Sequence, residues 1–225
     1  MSGVDNHTLA LLHFDDTDNI IKDEVGVLEW AKTGSFKLST DCKFGAASLI
    51  VSNGYMKSTT SDVISKISGD NPRTIDFWSK YQKSSTSESF FYIFGSSTAD
   101  KAMALKRTSK LITLTHWDNN RAFEYVSDTD EWHHFAHVYD GTTEYLFIDG
   151  KKFCSFDIAL TTGSDYFMIS PDYRGNSSTG YNIVDEFRVS DIARWTEDFV
   201  PPAVPYRKNN LLYLDENNAV WGCKA

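Results

Sequence analysis

The chain has 225 residues and a formal charge of −9, from 31 acidic and 22 basic residues, with 41% hydrophobic and 14% aromatic side chains. Net negative charge without any long Lys/Arg run excludes a phosphate-neutralising stripe, so nucleic acid is not an expected partner. No apolar run approaches the roughly 20 residues that span a bilayer, and MSGVDNHTLA lacks the basic-then-apolar layout of a signal peptide, so neither membrane insertion nor secretory routing is expected.

In chain order, short period-2 alternations separated by Gly, Asn, Asp and Ser clusters predict strands at Leu9 to Phe14, Ala47 to Val51, Tyr55 to Ser58, Arg73 to Tyr81 and Phe90 to Phe94. Further strands are predicted at Ala102 to Lys106, Leu111 to His116, Phe123 to Val126 and Trp132 to Tyr139. The series ends with Glu144 to Ile148, Lys152 to Asp157, Phe167 to Ile169 and Ile183 to Val189. No window of 12 or more residues keeps a helical period, which makes the chain all-β. The composition does not break before Pro201, Pro202 and Pro205, so one large sandwich over residues 1–206 is expected, with a tail at 207–225. That tail reads equally as a small hairpin outside the domain or as a segment lying along it.

Within YLFIDGKKFCSF, Asp149-Gly150 supplies the two positive-φ positions of a type I′ turn and predicts a hairpin. In EWHHFAHVYDG the alternation puts Trp132, His134, Ala136 and Val138 on one face, expected to be the core face, and His133, Phe135, His137 and Tyr139 on the other. On a strand His133 and His137 lie about 13 Å apart, too far for one ion, so a metal at these histidines is not expected. His134 is expected to be a hydrogen-bonded core histidine. Cys42, Cys154 and Cys223 form no CxxC pair and are expected to be free, mostly buried thiols.

The blocks LALLHFDD, KFGAASLIVSNGYM, RTIDFWSKY, EWHHFAHVYDGTTEYLFIDGK and NIVDEFRVSDIARWTEDFVPPAVPY, in this order over residues 8 to 206, resemble laminin-G-like, concanavalin A-like lectin/glucanase domains. The likeness is to the versions found in phage tail and other virion proteins. It implies an antiparallel β-sandwich of jelly-roll type, with the first strand near the last. It further implies a place in a virion, made in the host cytoplasm, with other virion proteins as partners. Similar sandwiches hold a structural calcium that staples the first strand to the last, and the matching positions are Asp15 or Asp16 and Asp185. The alternative for DDTDN is an Asx-type turn with solvated carboxylates.

Glycosidases of this fold carry paired acidic residues on one strand, commonly as ExDxxE, and no such triplet occurs here. Asp128, Asp130 and Glu131 fall in a turn, and Asp185 and Glu186 are adjacent and so expected on opposite strand faces. The chain is therefore not expected to be an enzyme. Carbohydrate recognition needs exposed aromatic faces and a few polar groups in loops. Two segments offer them: Trp117 and Arg121 in THWDNNR, and Asp172, Tyr173, Arg174 and Asn176 in SPDYRGNSSTGY. The expected function is a non-catalytic carbohydrate-binding or decoration module for glycan on a cell surface. The alternative is a structural virion protein making protein contacts, including a homo-oligomer.

Overall fold

The computed structural model describes residues 4–82, 88–126, 131–173 and 181–207. The strands are β1 (Thr8–Leu12), β2 (Trp30–Gly34), β3 (Lys37–Ser39), β4 (Ser48–Val51), β5 (Gly54–Ser58), β6 (Arg73–Gln82), β7 (Ser89–Gly95) and β8 (Ala102–Arg107). They continue as β9 (Leu111–Thr115), β10 (Arg121–Glu124), β11 (Trp132–Tyr139), β12 (Thr143–Ile148), β13 (Lys151–Asp157), β14 (Tyr166–Ile169) and β15 (Tyr181–Ser190). A short helix α1 (Ser61–Ile64) and a 3₁₀ turn (Ser65–Ile67) separate β5 from β6. No helix among the described residues is long and apolar enough to cross a membrane.

Two antiparallel sheets form a sandwich. One runs β13-β12-β11-β6-β15-β4-β3 with β1 added on β15, and the other runs β10-β9-β8-β7-β14-β5-β2. β15 pairs with β4 over its first half and with β1 over its second, so first and last strands do lie together. The change of partner falls at a bulge between Asp185 and Arg188, where Glu186 has a φ of 51°. Between the sheets, Phe77 stacks on Phe135 at 5.7 Å and Phe187 at 5.4 Å, and meets Phe91 of the opposite sheet at 4.9 Å.

Thirteen expected strands are present with ends moved by a few residues, and the Asp149-Gly150 turn has the positive φ values, 52° and 73°, that the hairpin requires. β2 and β3 escape the sequence pattern because they are short segments without apolar alternation, β2 mostly exposed and β3 exposed or half-buried. Cys42 and Cys154 are free and half-buried, and burial pushes the Cys154 thiol up to about 12. Cys223, the tail from residue 208 onward, and Asp128 and Asp130 lie outside the described residues.

The expected core face of β11 is corrected by the structure. Phe135, His137 and Tyr139 face the opposite sheet: Phe135 packs on Phe91 at 5.4 Å and His137 reaches Tyr92. His134, Ala136 and Val138 are also buried, but beneath the segment that follows β15, where Trp195 and Phe199 stack at 3.9 Å. Trp132, expected in the core, is only half-buried. A strand covered on both faces is apolar on both, so alternation alone cannot say which face meets the other sheet. His134 is a core histidine as expected, with Nε2 3.3 Å from Asp76 Oδ2.

The proline-containing segment is thus an outer cover for the first sheet. The Phe199 amide donates to Gly150 O at 2.8 Å and the Lys152 amide donates to Asp198 Oδ1 at 2.9 Å, tying it to the hairpin tip. A Cβ at Gly150 would run into the Phe199 carbonyl, so this approach requires glycine as much as the turn does. At its far end the Tyr206 hydroxyl donates to the buried Asp76 carboxylate.

Candidate functional site

The two loops that the sequence singles out meet at one place. β9 ends at Thr115, and Trp117 takes a left-handed φ of 68° that turns the chain into the 117–120 tip before β10. After β14, the Pro171 carbonyl accepts the Phe90 amide at 2.9 Å, which holds Asp172 and Tyr173 against the start of β7. Trp117 then packs between Phe90, at 6.3 Å, and Tyr173, at 6.4 Å and near perpendicular. Its indole Nε1 donates to Ser96 O at 2.8 Å, so the ring is half-buried and fixed, whereas Tyr173 is 56% exposed.

These rings wall a half-open cleft of about 310 Å³. Its polar side is formed by Asn120, Asp172 and an ion pair between Lys106 and Glu88 at 3.0 Å, with the Lys106 ammonium also 5.5 Å from the Phe90 ring centre. Phe90 and Lys106 are direct cross-strand partners on β7 and β8. Fixed aromatic faces beside a carboxylate, an ammonium and an amide suit a ligand with both C–H surfaces and hydroxyls.

Of the six residues expected to bind ligand, Trp117, Asp172 and Tyr173 are brought together. Arg121 is not at the cleft: its guanidinium lies over Phe156 of the other sheet, 4.0 Å from the ring centre. Arg174 and Asn176 lie outside the described residues. Sequence reasoning did not single out Glu88, Phe90 and Lys106, because what recruits them is strand pairing, which no local pattern announces.

Asp185 and Glu186 are both buried away from this cleft. The Asp185 carboxylate accepts the amides of Lys43 at 2.8 Å, Phe44 at 3.0 Å and Glu186 at 2.8 Å, while Glu186 takes His13 Nδ1 at 2.6 Å and the Tyr206 amide at 2.8 Å. Burial, reinforced by the Glu186 charge and opposed by the amides, lifts the Asp185 carboxyl to about 7.

Contacts of the same kind surround Asp15, Asp16 and Asp185, the expected calcium position. Asp15 Oδ1 accepts the amides of Ala46 at 2.6 Å and Ala47 at 3.0 Å, and Asp16 Oδ1 accepts those of Asp18 and Asn19 in an Asx-type turn. Calcium needs six to eight oxygens. Here N–H donors of the 43–47 loop are aimed at the carboxylates, and among the described residues no three acidic, His or Cys side chains converge on one point. As arranged, the residues do not fit the ion. The expected result is a melting temperature unchanged, within about 1 °C, between chelator and millimolar calcium, since only a ligand of the native state raises it. A calcium-dependent rise would show that the loop yields its amides to a metal.

A family model described as the concanavalin A-like lectin/glucanases superfamily matches residues 52–198, more than half of the chain. A search of curated protein sequences returned no significant match. Similar solved structures include the binding domain of botulinum neurotoxin DC in complex with SialylT, with a TM-score of 0.63 and 12% identity, covering 84% of this chain and 48% of that one. Another is a botulinum neurotoxin type C structure, described as dependent on two ganglioside molecules for cell entry, with a TM-score of 0.64, 14% identity and 84% and 48% coverage. This chain therefore spans about half the length of those toxin domains. Domain 4 of AbnA, an extracellular arabinanase from Geobacillus stearothermophilus, in complex with arabinotriose, is matched over 83% of this chain and 93% of that domain, with a TM-score of 0.62 and 15% identity. At these identities the likeness is one of fold.

Proposed function

The chain belongs to the concanavalin A-like lectin/glucanases superfamily, and from that premise we propose that it is a non-catalytic glycan-binding module whose ligand occupies the cleft between Trp117 and Tyr173. The observation that carries this reading is the convergence of two loops, 56 positions apart at those aromatics, on one half-open cleft with an ion pair in its wall. Domains of the same fold were solved with arabinotriose and with SialylT, which agrees with a saccharide as the ligand class. Glu88 is engaged by Lys106, and Asp185 and Glu186 are engaged by backbone amides and His13, so each of these carboxylates has a structural task.

A cleft with one or two aromatic faces leaves little surplus over the cost of association, so a single domain should bind weakly. Several copies on one particle would convert this into firm adhesion through effective concentration. The five sequence blocks that resemble tail and virion domains support a virion as that particle, with the host-surface glycan as its target.

The test is a glycan array probed with multimerised protein, followed by Tyr173→Ala and Trp117→Ala on any glycan retained. Each change is expected to weaken retention by at least about tenfold, equivalent to ~1.4 kcal/mol, as for a central aromatic anchor. Tyr173→Ala is the cleaner probe, since its ring is more exposed than the half-buried Trp117 indole. Retention untouched by both changes would transfer the role to protein contacts, and release of reducing sugar would overturn the non-catalytic reading.

A further inference from the structure

His116 immediately precedes Trp117, and its side chain is buried between the sheets. Nε2 lies 3.0 Å from Glu144 Oε1, and Nδ1 lies 2.9 Å from the Asn119 carbonyl oxygen. A carbonyl and a carboxylate only accept, so both ring nitrogens have to donate and the ring is an imidazolium. His137 meets the same Glu144 oxygen through Nε2 at 2.6 Å, while its Nδ1 faces the Tyr92 hydroxyl at 2.6 Å. A hydroxyl can donate, so His137 is satisfied as a neutral ring. The proton rests on His116 rather than Glu144, because Oε1 already faces two N–H groups and a carboxyl is intrinsically about two pH units more acidic than an imidazolium.

We propose that the buried proton on His116 locks the 117–120 turn and thereby sets Trp117 in the cleft wall, so that the site is assembled while the ring is protonated and loosens when rising pH removes that proton. Its meaning for ligand rests on the reading of that cleft as the binding site. The His116 ring binds the turn at Asn119, and its own carbonyl accepts the amides of Asp100 at 3.0 Å and Asp118 at 3.1 Å. A left-handed Trp117 persists only where its surroundings over-determine it.

The charged and titratable groups around the pair come from five strands: Glu144 on β12, His137 on β11, Tyr92 on β7, Arg73 on β6 and Cys154 on β13. Burial pulls the His116 value down, but the hydrogen bond and charge of Glu144 outweigh it and Arg73, leaving it raised. The folded state thus holds this proton more tightly than the unfolded chain. Its contribution is complete below the ordinary imidazole value of about 6.5 and is lost as pH rises through the higher folded one. His116 is a positioning residue, acting on the site through Trp117.

The test follows the ring ¹⁵N resonances of His116 and hydrogen exchange of the Trp117 indole in the intact chain from about pH 5.5 to 9.5. The Trp30 indole, bonded to Asp23 Oδ2 at 3.0 Å, serves as the reference for base-catalysed exchange. Both His116 nitrogens are expected to be protonated at pH 6.5 and to titrate in one step above it. Across that step, protection of Trp117 relative to Trp30 should fall at least tenfold. His116→Gln, which keeps a donor but no charge, should abolish the step and show the loosened indole throughout; if that variant fails to fold, the unsubstituted chain decides alone. A neutral His116 ring at pH 6.5, or a Trp117 indole indifferent to its step, would overturn the proposal. Neither readout uses a ligand, so failure here and failure of the glycan reading are distinguishable.

Discussion

Asp76→Ala is expected to destabilise the fold by about 3 to 5 kcal/mol, the range for breaking a buried ion pair by removing one partner. Asp76 sits on β6 under the outer cover. Oδ1 accepts Arg188 Nε at 2.9 Å; Oδ2 accepts Arg188 Nη2 at 3.2 Å and the Tyr206 hydroxyl, with His134 beside it. Removing the carboxylate takes two hydrogen bonds and the facing charge from a guanidinium that is itself buried, 3.9 Å from the Tyr206 ring centre. For a chain of this length the loss corresponds to a fall in Tm of about 6 to 20 °C. Tyr206→Phe, which removes one hydroxyl and leaves the pair, should cost about 1.5 to 3 kcal/mol.

The pH dependence has a definite sign. Burial raises the Asp76 carboxyl, but Arg188 and His134 more than reverse this and hold it well below the usual carboxylate range. Its stabilisation is therefore present above the unfolded value of about 3.9 and lost as pH falls through the lower folded one. The gap in Tm between the unsubstituted chain and Asp76→Ala should be widest near neutrality and should narrow below about pH 4. A loss under about 1 kcal/mol at pH 7 would mean that water reaches the guanidinium.

The second large effect separates two neighbours on β11. Phe135→Ala should cost about 3 to 5 kcal/mol, because its ring is enclosed by Phe77, Phe91 and Tyr125 at centroid distances of 5.7, 5.4 and 6.1 Å. Trp132→Ala should cost only about 1 kcal/mol, since the half-buried indole gives up one 3.2 Å hydrogen bond to Asp41 and few contacts. Paired denaturant titrations check this. The reverse ranking would mean that β11 is turned by one residue, which exchanges its faces.

The resemblance of five ordered blocks to a known family implied a lectin-type sandwich with its first and last strands together, and the sequence by itself determined which segments are strands wherever side chains alternate and where the Asp149-Gly150 hairpin turns. These are local properties: a pleated strand repeats every two residues, and a type I′ turn needs two residues tolerant of positive φ. The sequence also pointed to Trp117 and Tyr173, as aromatics among loop residues. Only the tertiary structure decided that they share one cleft with Phe90, Glu88 and Lys106, that Arg121 serves the other sheet, and that Phe135 rather than Trp132 enters the core. It also decided that the prolines lead a cover across the outer face of the first sheet, and that the carboxylates of Asp15 and Asp185 are filled by amides of a loop some 30 and 140 residues away. Each of these depends on which distant backbone lies alongside, and once a strand is covered on both faces or a carboxylate meets an amide from elsewhere, nothing in its immediate neighbours in the chain records the fact.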